Sequence, residues 1–142
     1  KQAVWVSQLA GVIGEPDEDT YLIGHSVGCI TILRYLETLT AEQRVGGVLL
    51  VAGFTNDLGY GELENYFTTP IDWERIRAHS DGFATIHSDN DQYVPVWHAG
   101  VFEQHLGIEG KLLSGRHHFD GDHGIRELPE ARDAVLTLAG MA

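Results

Sequence analysis

The stretch Tyr21-Leu22-Ile23-Gly24-His25-Ser26-Val27-Gly28 constrains this chain more than any other. A short apolar run enters a Gly-x-Ser-x-Gly turn, and an amphipathic segment leaves it. That order of strand, tight turn and helix is a nucleophile elbow. A serine at such a sharp, strained turn has its hydroxyl lifted clear of the backbone. Glycines two positions to either side are expected to remove Cβ atoms that would collide. Ser26 is therefore the candidate nucleophile.

The rest of the chain supplies the sheet and helices that such an elbow needs. Trp5, Leu9, Val12 and Ile13 recur at helical spacing before Gly14 and Pro16, so the first element is expected to be a helix with that stripe inward. Thr20 to Gly24 reads as a buried strand. Val27 to about Thr40, with Cys29, Ile32, Leu33 and Leu36 on one stripe, reads as the helix that follows the elbow. Gly47 to Ala52 shows no polar alternation, as expected of a strand covered on both faces of a parallel sheet. Gly53 to Thr69 mixes turn residues with Phe54, Tyr60, Tyr66 and Phe67, and reads as a loop that packs. Asp72 is the expected N-cap of a short helix, and Gly82 to Ser88 is a third strand. Val96 to Leu106 is a helix with Trp97, Val101 and His105 on one face. Lys111 to Ser114 is a fourth strand, and Pro129 to Ala139 closes the chain as a helix. Four strands alternating with helices predict one α/β domain over residues 1–142, with a mostly parallel sheet covered on both sides in three α/β/α layers.

Composition narrows the function. With a formal charge of −12, the mean field repels phosphate backbones and anionic lipid, so neither nucleic acid nor a membrane is an expected partner. Cys29 is the only cysteine, which excludes an intrachain disulfide and favours a reducing compartment. No apolar run approaches the ~18 residues of a membrane span, and no basic-then-apolar leader precedes the first helix. A soluble, cytoplasmic protein is the expectation.

A serine hydroxyl is a weak nucleophile at neutral pH and needs a base, itself oriented by a carboxylate. In open α/β sheets such groups collect on loops at the carboxyl ends of the strands. Two loops after Ser26 qualify: Ser88-Asp89-Asn90-Asp91-Gln92-Tyr93-Val94-Pro95 and Gly115-Arg116-His117-His118-Phe119. Asp89 competes with Asp91 for the acid, and His117 with His118 for the base. His117, His118, Asp120, Asp122 and His123 also cluster as hard donors, but no His-Glu-x-x-His or paired-Cys pattern supports a metal, and none is expected.

The chain resembles the small serine hydrolases related to the retinoblastoma-binding serine hydrolase, a compact α/β-hydrolase subfamily. Beyond Gly24-His25-Ser26-Val27-Gly28, the resemblance rests on Thr55 with Asp57-Leu58-Gly59, on Tyr66-Phe67-Thr68 with Pro70, and on Trp73-Glu74 with Ile76. Asp91 before Tyr93-Val94-Pro95, and His118-Phe119, complete it. The resemblance implies an α/β-hydrolase fold, with Ser26 as nucleophile, Asp91 as the orienting acid and His118 as general base, cleaving a small acyl ester or amide without a cofactor. The Val27 amide follows the nucleophile and is the expected oxyanion donor. His25, Tyr66 and Phe67 are expected beside the substrate. Because the base must be neutral, activity is expected to rise with pH through roughly 6–7.

Members of that subfamily carry further N-terminal residues, including a strand beside the one equivalent to Tyr21–Ile23 and a loop donating a second oxyanion amide. Lys1 begins after that strand, so a weakened oxyanion hole and an unpaired edge, open to pairing with another segment, are expected. A non-catalytic scaffold presenting the Phe54 to Pro70 loop to a protein partner is the alternative reading.

Overall fold

The computed structural model describes residues 1–141. Helix α1 (Gln2–Ile13) is followed by strand β1 (Tyr21–His25), helix α2 (Val27–Glu37) and strand β2 (Gly47–Val51). A loop with a 3₁₀ turn at Gly61–Tyr66 then leads to α3 (Trp73–Ala78), β3 (Phe83–Ser88), α4 (Trp97–Leu106), β4 (Lys111–Leu113) and α5 (Pro129–Leu138). The strands lie in the order β1-β2-β3-β4, all parallel, with Ile23 beside Leu49 and Val51 beside Ile86.

Side-chain alternation along β1 and β2 divides the core. Leu22, Val48 and Leu50 point to one face and bury against Ile30, Leu33 and Leu36 of α2, Ile76 of α3, and Phe102 and Leu106 of α4. Leu49, Val51 and Ile86 point to the other, where α5 covers them with Ala131, Ala134 and Val135. This is the three-layer α/β/α arrangement expected from the sequence, but one face carries four helices and the other only α5. No described strand pairs with the outer side of β1, and Ile23, beyond the reach of α5, is 60% exposed. Among the described residues no helix is long and apolar enough to cross a membrane.

Two helices sit rotated from the expected orientation. In α1, Val6, Leu9, Ala10 and Ile13 face the core, while Trp5 (54%) and Val12 (86%) face outward. In α4 the inward residues are His98, Phe102 and Leu106, one position on from the expected Trp97, Val101 and His105. Both helices have apolar residues on more than one stripe, so periodicity alone admits two faces. What decides between them is the shape of the neighbouring helix. By contrast α2 is buried from Cys29 through Leu36, its stripe included.

Candidate active site

The elbow takes its shape from two close approaches. A Cβ on Gly24 would lie 2.9 Å from the backbone nitrogen of Cys29 and 2.9 Å from Cδ1 of Ile32, so only glycine lets α2 leave so close to β1. Gly28, expected to play the same part, meets nothing within 4 Å. Ser26 sits at φ 57, ψ −119, a left-handed conformation that L-residues avoid, and its amide donates to the Val51 carbonyl at 2.9 Å. The β1–β2 ladder thus continues into the turn and holds the strained residue in place. The Val27 amide opens α2, where the first N–H groups have no intrahelical acceptor and carry the positive end of the helix dipole.

Asp91 lies in the loop after β3. Its Oδ1 accepts from the amides of Tyr93 (2.9 Å) and Val94 (3.0 Å), an Asx turn that fixes the carboxylate. Its Oδ2 accepts from His118 Nδ1 at 2.8 Å, and the opposite ring nitrogen, Nε2, lies 3.0 Å from Ser26 Oγ. Burial pushes the Asp91 carboxyl upward. The His118 hydrogen bond and the two amides outweigh that push and hold it below the usual carboxylate range. An ionised Asp91 fixes the tautomer: Nδ1 carries the proton, and Nε2 is free to accept the serine hydroxyl's.

The competing residues serve other purposes. Asp89 accepts from Ser114 Oγ (2.9 Å) and the Gly115 amide (3.0 Å), closing the turn after β4. The His117 amide donates to Asn90 Oδ1 at 2.8 Å, and its ring stacks on His123 at 4.3 Å, away from Ser26. His123 is in turn bound to Asp120 at 2.6 Å. Among the described residues no three His, Cys, Asp or Glu side chains group as metal ligands. Cys29 is fully buried, and burial pushes its thiol up to about 12.

Beside Ser26 opens a cleft of about 350 Å³ lined by Val27, Phe54, Leu58, Tyr60, Leu63 and Tyr93, with Glu62 and His118 completing it. The three expected pocket residues lie elsewhere. Tyr66 is buried at 4% exposure, its hydroxyl accepting from Thr31 Oγ1 at 3.1 Å, which anchors the loop to α2. Phe67 packs on the far side of Phe54, at a ring separation of 6.2 Å, and lines a separate depression with Thr55 and Trp73. His25 points across β1 from Gly24 and donates from Nε2 to the His118 carbonyl at 2.7 Å. Aromatic composition marked the right loop, but of its four aromatic residues only Phe54 and Tyr60 line the cleft, while Tyr66 and Phe67 do not. Leu58 and Leu63 were missed because turn chemistry, rather than periodicity, orients them.

The profile of the serine hydrolase family matches residues 1–137. YdeN of Bacillus subtilis, named as a hydrolase, is 35% identical over 136 residues, covering 94% of this chain and 70% of YdeN. The rat serine hydrolase RBBP9 is 37% identical over 141 residues, covering 98% and 73% of the two chains. In the solved structures, the B. subtilis ydeN product superposes with a TM-score of 0.90 at 29% identity, over 99% of this chain and 76% of its own. A YdeN-like protein from Pectobacterium atrosepticum shares the fold, with a TM-score of 0.69 at 20% identity, over 99% and 70% of the two chains.

Proposed function

This chain belongs to the serine hydrolase family, with an α/β-hydrolase fold, and we propose that it cleaves a carboxylic ester or amide through Ser26, His118 and Asp91. The observation that carries the reading is the continuous hydrogen-bonded chain from Ser26 Oγ through His118 to Asp91, at 3.0 and 2.8 Å. As Ser26 Oγ bonds to the acyl carbon, its proton passes to His118 Nε2, and the carbonyl π electrons move onto oxygen beside the Val27 amide. Collapse of that adduct breaks the bond to the alcohol or amine, which leaves with the proton from His118. Water then attacks the acyl-enzyme by the same route, and Ser26 is regenerated. Asp91 stays ionised throughout and holds the imidazolium in register.

Away from Ser26 and His118 the cleft is lined mainly by aliphatic and aromatic side chains, with Glu62 its one carboxylate, which suits a small uncharged acyl group. A fluorophosphonate probe tests the reading. The wild-type chain is expected to be labelled at Ser26, and S26A not at all. D91N is expected to react about 10³–10⁴-fold more slowly, because the imidazole then presents the wrong tautomer. Labelling that persists in S26A, or its absence from wild type, would overturn the proposal and leave the non-catalytic scaffold as the better account.

A further inference from the structure

His25 takes no part in the steps above, and it does not line the cleft. Its surroundings nonetheless tie it to the base. His118 arrives on a loop 92 residues after Ser26, flanked by His117 at φ 52 and Phe119 at φ 57. Two non-glycine residues in left-handed conformation on either side of one histidine cost on the order of 1–3 kcal/mol each. Such a segment keeps its shape only where its contacts over-determine it. Most of those contacts run to the end of β3. The Arg116 amide donates to Ser88 Oγ at 3.0 Å and the His117 amide to Asn90 Oδ1 at 2.8 Å. They fix the loop relative to Asp91, but not relative to the elbow.

One hydrogen bond besides that of Ser26 itself joins the elbow strand to this loop among the described residues. His25 Nε2–H donates to the carbonyl of His118 at 2.7 Å, and the two rings lie 4.9 Å apart. His25 is the residue before the nucleophile, so hydroxyl and strap belong to one rigid unit, itself pinned by the Ser26 amide on the Val51 carbonyl. We propose that His25 is a positioning residue that holds the base's own peptide and sets the distance from His118 Nε2 to Ser26 Oγ. The proposal rests on the reading of Ser26, His118 and Asp91 as the reacting group.

Side-chain geometry supplies the test. Glutamine reaches its amide nitrogen through the same number of bonds from Cβ as histidine reaches Nε2. Asparagine ends one bond short, and leucine keeps bulk without a donor. With p-nitrophenyl butyrate, kcat in H25L and H25N is expected to fall about 10–100-fold, the size of effect a displacement of ~1 Å produces. KM should hold within about twofold, since His25 does not touch the cleft. H25Q is expected to restore kcat to within about threefold of wild type, an imperfect donor replacing a good one. A readout that needs no turnover is the downfield proton resonance of His118 Nδ1–H, identified by its loss in D91N. It should be present in wild type and H25Q and broadened away in H25L and H25N.

Wild-type kcat and an unchanged resonance in H25L would overturn the proposal. Equal losses in H25Q would do so too, since ring packing and not the bond would then matter. If wild type neither turns over nor reacts with a fluorophosphonate while the resonance follows the donor, the hydrolase reading fails and the positioning role stands.

Discussion

At the scale of single residues, the core beneath the site holds two histidines that must stay neutral. His87 donates from Nε2 to the Gly53 carbonyl at 2.9 Å, and His98 accepts the Thr55 amide on Nδ1 at 3.0 Å. Both are buried, and His87 Nδ1 and His98 Nε2 have no partner within the protein. Burial lowers the pKa of both, for His98 to about 4 with a further push from His87. Protonating His98 would also place a proton on the nitrogen that accepts the Thr55 amide. For His98 the unfolded chain takes up its proton near pH 6.5 and the folded chain only near 4, so the stabilisation is complete above about 6.5 and drains away as pH falls between those values; burial shifts His87 in the same direction. For His98 alone the loss amounts to about 3 kcal/mol. Urea unfolding at pH 7 and 4.5 should show this drop in wild type and a shallower one in H98N, which keeps an acceptor for Thr55 but cannot titrate. Identical slopes in the two proteins would refute the assignment. These histidines were invisible as a pair in the sequence, because residues 87 and 98 meet only once β3 and α4 pack.

At the scale of elements, the elbow is a packing junction between β1 and α2 as much as a mount for a hydroxyl. Its two glycines are not equivalent. Gly24→Ala would drive a Cβ to 2.9 Å from the backbone of Cys29, where neither element can yield without breaking the β1–β2 ladder. Overpacking of that kind costs about 1–3 kcal/mol. Gly28→Ala meets open space on a helix and should be neutral or stabilising by up to about 1 kcal/mol. Thermal melts of the two variants check the contrast, and a G28A chain less stable than G24A would contradict it.

The motif's spelling identified the elbow but could not distinguish its glycines, since the distinction lies in what α2 places above each. Element order was legible for a related reason. Gly47–Val51 is apolar without alternation and is buried at every position, as a strand covered on both faces should be, whereas Tyr21–His25 reads as equally apolar at its start yet alternates, with Ile23 60% exposed. The rotations of α1 and α4 were not legible, because Trp5 and Trp97 look like core residues by composition yet stand at the surface.

At the scale of the whole molecule, the parallel sheet brings three distant segments to one end. Each of β1 and β3 delivers a group from its carboxyl end, and the loop after β4 delivers the third. Ser26 and His118 meet across 92 residues, and His118 and Asp91 across 27. The order Ser, Asp, His was readable along the chain. The choice of Asp91 over Asp89 rests on its spacing to Val94-Pro95, and that of His118 over His117 on the following Phe119 and the family resemblance, rather than on any periodicity in the loops. The cleft was the least legible part, because its walls are the inward side of a loop whose course is set by anchors such as Tyr66 on Thr31.

The central claim is that Ser26 becomes covalently acylated during turnover. The most direct measurement is an acid quench of the chain reacting with p-nitrophenyl acetate, followed by peptide mass spectrometry. One acetyl group on the peptide containing Ser26, absent from S26A and accumulating about 10³–10⁴-fold more slowly in D91N, is the predicted result. Acetylation at another residue, or hydrolysis that continues undiminished in S26A, would contradict it.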